Sequence, residues 1–174
     1  MKTTFHAVAA AVAAVAAALA TGCGYTQGSG LPARGIRTVA LEVVGNETYR
    51  QRLEVELGAA LARELLVASD LTLADRRRAD ATLKVVLQDA QERTLVVGGR
   101  DDANPIASDP VREGAFSAAV WIRLVGRDGV ALVERRITDR TEFRSPIGED
   151  LTSARKELVE DLARKIALAL ETDV

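Results

Sequence analysis

The sequence has little of the side-chain chemistry on which most enzymes depend. Its single histidine, His6, lies in an N-terminal apolar segment, and its single cysteine, Cys23, closes that segment. The rest of the chain therefore lacks the side chains of a zinc site, a Ser-His-Asp triad or a Cys-His dyad. Residues 98–100 read Gly-Gly-Arg and are not followed by the Gly-Lys-Ser/Thr of a phosphate-binding loop. We therefore expect a protein that is not an enzyme and uses no cofactor.

The N-terminal segment predicts export. Lys2 supplies a positive charge, and residues 7–20 consist of Ala, Val and Leu alone. This run is too short for a bilayer core, which needs about 20 apolar residues, but it fits a secretory signal peptide. Residues 19–23 read Leu-Ala-Thr-Gly-Cys and resemble a lipobox, with the leucine one place further upstream than in the usual pattern.

Cys23 is predicted to carry the lipid anchor. A lone cysteine in an exported chain has no partner for an internal disulfide, and acylation accounts for its position at the end of the signal. The alternative is an ordinary signal peptide followed by an unmodified cysteine. Several acyl chains, palmitate among them, anchor stably where one chain binds only marginally. By resemblance to known sorting signals, Gly24 does not retain the protein in the inner membrane, so we expect the periplasmic side of the outer membrane.

The chain is expected to have three parts: a signal peptide at 1–22, a lipidated tether at 23–35 and one folded domain at 36–174. The tether is rich in Gly, Gln, Ser and Pro, as flexible linkers are. The remaining length suits a single core. Without the signal peptide, the chain keeps 22 of its 23 basic residues and all 25 acidic residues. This balance predicts no nucleic-acid partner.

Hydrophobic periodicity predicts the elements of the domain. Period-two alternation indicates strands at 37–44, 71–74, 81–97, 113–125 and 130–143, and apolar stripes indicate helices at 51–68 and 150–171. Burying both helical stripes on one side of the strands predicts an α+β two-layer sandwich. Its sheet is mostly antiparallel, and the two helices pack on one face.

Three local features refine this prediction. Thr48 and Gln51 have the spacing of a capping box before the first helix. Asp128-Gly129 predicts a hairpin turn between the last two strands. Arg135 interrupts the apolar face of the last strand, which predicts a bulge or a bend in that strand.

Three stretches of the chain resemble the lipopolysaccharide-assembly lipoprotein family LptE. They are Gly-Cys-Gly-Tyr at 22–25, Ile-Arg-Thr-Val-Ala-Leu-Glu-Val at 36–43 with Asn46 after it, and Ala-Asp-Ala-Thr-Leu at 79–83. The resemblance implies a two-layer α/β sandwich. It also implies a lipoprotein that sits in the lumen of the outer-membrane β-barrel LptD, plugs it, helps it assemble and assists delivery of lipopolysaccharide. Expected partners are therefore an LptD-like barrel and lipopolysaccharide.

Members of this family have been linked to lipopolysaccharide through basic residues, and the guanidinium fork suits phosphate. Candidate contacts are Arg76, Arg77 and Arg78 on one turn, Arg123 on the less covered sheet face, and Arg135, Arg136 and Arg140 on the last strand. The alternative for each arginine is a solvated charge, balanced by acids such as Glu134, Asp139 and Glu142.

Trp121 is the single tryptophan of the chain. Alternation places it on the face opposite Val120 and Ile122. Two interpretations stay open: a helix covers the indole, or the indole is an exposed contact anchor, since tryptophan is enriched at interface hot spots.

Two other functions also stay open. One is a different periplasm-facing lipoprotein of similar layout, acting as an activator of envelope enzymes or as a secretion-pore component. A pore subunit should form a symmetric ring alone, whereas a plug should purify as a monomer or one-to-one with a barrel. The other is an enzyme with a carboxylate pair. Asp101, Asp102 and Asp109 share one loop, but their spacing fits no known calcium loop. We interpret that loop as solvated and flexible and expect no metal.

Overall fold

The computed structural model describes residues 30–68, 70–97 and 111–172. The predicted signal peptide, Cys23 and the three loop aspartates Asp101, Asp102 and Asp109 lie outside the described residues. In the described ranges, no helix has both the length and the apolar character needed to span a bilayer. The last part of the predicted tether packs on the domain, because Leu31 is fully buried in the core before a short 3-10 turn at Pro32–Arg34.

Within the described ranges, six strands form one mixed sheet in the order β3-β1-β4-β5-β6, with β2 beside β4. The strands are β1 (Thr38–Leu41), β2 (Gly45–Asn46), β3 (Thr72–Leu73), β4 (Ala81–Val97), β5 (Val111–Gly126) and β6 (Ala131–Arg144). The three long strands pair antiparallel, as predicted. The short strands β1 and β2 pair with β4 in parallel, because the chain returns from β1 through a helix rather than a tight hairpin.

Two helices, α1 (Leu53–Ala68) and α2 (Leu151–Thr172), pack side by side on one face of this sheet. Their stripes are fully buried, with Leu57 and Leu61 on α1 and Leu158 on α2 in the same core as Val85 of β4 and Ile122 of β5. Burying one such side chain stabilises the fold by about 1.5–3 kcal/mol. The predicted α+β two-layer sandwich with two helices on one face is confirmed.

The predicted capping box before α1 is wrong. The helix begins at Leu53, not directly after Thr48. Asn46 Oδ1 accepts hydrogen bonds from both the backbone N–H and the hydroxyl of Thr48, each at 2.8 Å. The Thr48 hydroxyl in turn accepts from the N–H of Arg50 at 3.1 Å. Threonine and asparagine thus stabilise a turn of their own and leave the helix to start later.

The last strand has the predicted irregularity, but it lies at Leu132 and not at Arg135. Arg135 pairs with Ile122 without a shift in register. The β5–β6 register shifts between Leu124, which pairs with Val133, and Val125, which pairs with Ala131. Strand β6 is the last in the sheet order, and Arg135 is exposed at this edge, where a long side chain can keep its charge in water.

Candidate functional site

The sheet face opposite the two helices carries four of the predicted contact residues, Trp121, Arg123, Arg136 and Arg140. Because side chains alternate along a strand, Leu83 and Ile122 face the helices while their neighbours face away. We call this second side the open face. This face presents Lys84 of β4, Trp121 and Arg123 of β5, and Glu134, Arg136 and Arg140 of β6.

A groove of about 400 Å³ crosses one end of the open face. It brings together three predicted contacts, Arg76, Trp121 and Arg123. The charged residues of its lining are Glu42, Arg76, Asp80, Lys84, Arg123 and Arg127. Cations outnumber acids in this lining, so the groove favours an anionic ligand.

Two cations lie directly opposite each other in the groove. Lys84 pairs with Arg123 in the β4–β5 register, and like charges at such positions destabilise a sheet. Arg123 is relieved in part by Glu134 of β6, whose Oε2 lies 3.4 Å from its Nε. That nitrogen is buried and has no hydrogen-bond partner within the described residues. An anion bound here would offset this unfavourable arrangement.

Trp121 is partly exposed and lines the same groove. The Lys84 Nζ lies 6.0 Å from the centroid of its ring, a cation–π contact that contributes about 0.5–1 kcal/mol at an exposed site. Both helices pack against the other face, so the interpretation that a helix covers the indole is wrong. The structure leaves the ring accessible beside two cations.

The open-face arginines form ion pairs with neighbouring acids. Arg140 Nη2 lies 2.8 Å from Glu142 Oε1, and both side chains are about half exposed. Arg123 and Glu134 form the looser pair described above, with 43% and 48% of their side chains exposed. Pairs at such exposure contribute about 0–1 kcal/mol. These charges are held weakly enough to be redirected to a ligand.

Asp139 does not balance these arginines. It faces the helices, and its Oδ1 accepts a hydrogen bond from Lys165 Nζ of α2 at 2.7 Å. Arg136 lies on the open face, opposite Trp121 in the register. It lines a second shallow groove of about 440 Å³ together with Arg140. Five predicted contacts therefore share the open face or its rim, in two neighbouring grooves.

The three arginines of the turn at residues 76–78 have different surroundings. Arg76 reaches the groove, where its Nη1 lies 3.2 Å from Glu42 Oε1. Arg77 and Arg78 are exposed and do not line that groove. Arg78 contributes its backbone carbonyl, which accepts a hydrogen bond from Arg127 Nη2 at 3.0 Å. The structure brings only one of the three side chains to the site.

The carboxylate of Asp80 lies at one end of the groove and holds the neighbouring backbone in place by hydrogen bonds. Its Oδ2 accepts hydrogen bonds from the Thr38 hydroxyl at 2.8 Å and from the N–H groups of Thr38 and Arg37 at 3.0 and 3.1 Å. These bonds, the Thr38 hydroxyl foremost, hold the pKa of Asp80 below its usual value, with a smaller contribution from the charge of Arg127. The carboxylate thereby joins the start of β1 to the start of β4.

Sequence reasoning missed Lys84 and Arg127 as site residues. Alternation with Leu83 already put Lys84 on the open face, so the signal for it was present. Arg127 lies in the β5–β6 turn and donates to the carbonyl of Ala79 at 2.9 Å, 48 positions away along the chain. Only the β4–β5 pairing brings these residues together. Within the described ranges, no group of three or more His, Cys, Asp or Glu side chains is placed to hold a metal ion.

Comparisons with known proteins identify a family for most of the chain. A family model described as "LptE: Lipopolysaccharide-assembly" matches residues 36–170. No curated protein matches the sequence.

Solved structures share the fold at low sequence identity. Hypothetical protein CT253 from Chlamydia trachomatis has a TM-score of 0.56 at 12% identity, covering 79% of this chain and 97% of that one. Protein XCC0632 from Xanthomonas campestris has a TM-score of 0.55 at 10% identity, covering 84% and 86%. Uncharacterized lipoprotein B from Nitrosomonas europaea has a TM-score of 0.51 at 15% identity, covering 78% and 83%. At these identities the likeness is one of fold alone.

Proposed function

The chain belongs to the LptE family of lipopolysaccharide-assembly lipoproteins, and on this premise we propose that it binds and plugs an LptD-like β-barrel of the outer membrane. In this role it aids assembly of the barrel and delivery of lipopolysaccharide to the outer leaflet. The observation that carries the proposal is the family match over residues 36–170. Such a role is performed by binding, and we propose no catalytic activity.

The open face supports a partner with a polar surface. Barrel lumens of the outer membrane are lined by polar side chains and water. The open face presents Arg136, Arg140 and their acidic neighbours, whereas the apolar sides of the sheet and helices are buried in the core. A surface of weak, partly exposed ion pairs exchanges partners at low cost. The open face is therefore the surface that we assign to the barrel.

The groove supports contact with the phosphates of lipid A. Lys84 and Arg123 lie opposite each other, and the Glu134 carboxylate beside Arg123 forms an ion pair with it but no hydrogen bond to its Nε. Arg76 lines the rim of the groove. A phosphate between these cations would make charge-assisted hydrogen bonds and relieve their repulsion. Arg136 and Arg140 extend the same face. We assign Arg77 and Arg78 no direct contact.

The anchor supports the same location. We propose that Cys23 carries the acyl chains and that the protein faces the periplasm from the outer membrane. Because Leu31 is already buried in the domain, the tether is short. Residues 23–30 reach at most about 25–30 Å when extended. The domain is thus held close to the membrane in which the barrel sits.

Depletion of the protein tests the proposal. We expect the amount of correctly folded LptD-like barrel and the amount of surface lipopolysaccharide to fall together, because the barrel loses its plug and its assembly factor. The measurement is heat-modifiable migration of the barrel on gels, with an unrelated outer-membrane barrel as control. Unchanged levels of both the barrel and surface lipopolysaccharide would refute the proposal. A comparable loss of every barrel would instead indicate a general envelope defect and would also count against it.

A further inference from the structure

The tether enters the domain at one end of the sheet, next to two of its turns. Leu31 is buried in the core at this point, and the N–H of Arg37 donates to Asp80 Oδ2 at 3.1 Å. The backbone N–H of Asp80 donates to the carbonyl of Thr38 at 2.9 Å, and that of Arg127 donates to the carbonyl of Asp80 at 2.9 Å. The last tether residues, the β3–β4 turn and the β5–β6 turn therefore lie together. We call this the anchored end of the domain.

Exposed apolar side chains lie at the anchored end. Helix α1 finishes there, because its last residue, Ala68, precedes β3 by four positions and β3 begins level with β1. In the last turn of this helix Leu66 is 61% exposed and Val67 is 85% exposed. Val130, next to the β5–β6 turn, is 55% exposed. Three large apolar side chains of this end are thus in contact with solvent.

The anchored end is positively charged, although the mature chain carries more acidic than basic residues. Residues 31–37, 70–80 and 126–130 include six arginines and four aspartates. The Asp80 carboxylate is already occupied by Thr38 and by two backbone N–H groups. The six arginines are all exposed: Arg34, Arg37, Arg76, Arg77, Arg78 and Arg127.

We propose that the anchored end docks on the surface of the bilayer that holds the acyl chains, by contact with anionic phospholipid headgroups. Anionic lipids attract clusters of basic side chains, and the guanidinium fork binds phosphate oxygens. Leu66, Val67 and Val130 enter the boundary between headgroups and acyl chains, as the apolar side chains of interfacial proteins do. The occupant is a bilayer because the tether joins the domain at this end.

The short tether makes a weak contact sufficient. Residues 23–30 keep the anchored end within about 25–30 Å of the membrane, and a short linker of this kind gives an effective concentration in the millimolar range. The other end of β4 lies about 50 Å away, since Val97 is sixteen residues from Ala81. Docking therefore orients the domain with this far end pointing away from the bilayer. The acyl chains still supply the attachment, so loss of Cys23 releases the protein.

This inference rests on the proposed acyl anchor at Cys23 and not on the barrel. It describes the anchored lipoprotein before a barrel binds. The open face is a broad side of the sheet and not its end, so docking leaves it accessible to the barrel. It also gives a role to Arg77 and Arg78, which do not line the groove.

The single tryptophan reports the orientation. Trp121 pairs with Val86, five residues from Ala81, so docking places it about 17 Å from the headgroups. The acylated lipoprotein is reconstituted into vesicles of phosphatidylcholine alone or with phosphatidylglycerol, each with the same trace of a headgroup-linked energy acceptor. We expect more energy transfer from Trp121 with phosphatidylglycerol and a smaller difference at high salt. Equal transfer in both kinds of vesicle would overturn the proposal.

Charge reversals locate the docking surface. Arg77→Glu with Arg78→Glu should lower the ratio of docked to undocked protein about tenfold on vesicles with phosphatidylglycerol. Arg93→Glu with Lys156→Glu is the matched control. It makes the same change in charge at two exposed positions towards the far end of the domain and should leave the transfer unchanged. An equal loss in the two variants would indicate a general effect of net charge and would refute the assigned surface.

An introduced thiol gives a second readout, because Cys23 is acylated and is the only cysteine of the chain. A polarity-sensitive fluorophore on the thiol of Val67→Cys should shift to the blue on vesicles with phosphatidylglycerol. The same fluorophore on Val55→Cys, near the start of α1 and 63% exposed, should not. No shift at residue 67, or an equal shift at both, would contradict the docking.

Flotation separates this inference from the proposed anchor. A lipoprotein that does not float with either kind of vesicle would refute the acyl anchor and the docking with it. Flotation with both kinds of vesicle and no difference in energy transfer would refute the docking alone.

Discussion

Gly114 of β5 tests the packing of the sheet most sharply. A Cβ built at this position would approach the ring of Phe143 on β6 and lie 2.7 Å from its Cε1. Phe143 is buried and pairs with Gly114 in the register, so the ring covers the glycine and must move. Overpacking of this kind costs about 1–3 kcal/mol, against which alanine recovers about 0.5–1 kcal/mol of backbone entropy.

We therefore expect Gly114→Ala to lower the free energy of unfolding by about 1–2 kcal/mol, measured by urea denaturation of the detergent-purified lipoprotein. In a protein that also carries Phe143→Leu, Gly114→Ala should lower the free energy of unfolding by less, because the smaller side chain leaves room for the methyl group. Gly58→Ala is the control. Its Cβ would meet Val44 Cγ2 at 3.4 Å, an ordinary contact, and alanine in a helix stabilises by about 0.5–1 kcal/mol. A neutral or stabilising Gly114→Ala would refute the described packing of Phe143 on β5.

Other predictions concern the anchor, the groove end and the open face. Cys23→Ala should leave the domain folded but release it from membranes into the soluble fraction; retention in barrel-free membranes would contradict the anchor. The pKa of Asp80 is lower in the folded protein than in the unfolded chain. The ionised carboxylate therefore stabilises the fold fully above the ordinary carboxyl pKa near 4. This stabilisation is lost as the pH falls through the folded pKa. Asp80→Asn should thus flatten the acid limb of the stability curve between neutral pH and pH 3, and an unchanged limb would exclude the Thr38 bonds as its source. Trp121→Ala should reduce barrel recovered in a pull-down several-fold, as loss of a hot-spot aromatic does, whereas Tyr49→Ala, at a fully exposed site, should not; equal effects would remove Trp121 as an anchor.

The long elements could be predicted from the sequence because each has a strong local pattern. The alternation through Leu83, Val85 and Leu87 defined β4 with the bounds that the structure has, Ala81–Val97. The apolar stripes of α1 and α2 located both helices within two residues at each end. In each case the element is stabilised mainly by burial of one apolar face, and the spacing of the apolar residues on that face can be seen in the sequence.

The features that were missed depend on contacts between distant segments. The start of α1 is decided by Asn46, whose side chain captures Thr48 before the helix begins, and a capping pattern contains no sign of that competition. The parallel pairing of β1 with β4 is a consequence of the helical crossover. Arg127 joins the groove end only through the β4–β5 pairing. Local sequence also gave no reason to choose among Arg76, Arg77 and Arg78.

Recovery of a partner from membranes shows directly whether this lipoprotein binds a barrel. The tagged mature lipoprotein is purified from detergent-solubilised membranes, and the mass and composition of the complex are measured. We expect one copy of this protein bound to one large outer-membrane β-barrel, with less barrel recovered when Trp121 is replaced by alanine. A symmetric ring of this chain alone, or recovery without any barrel, would contradict it.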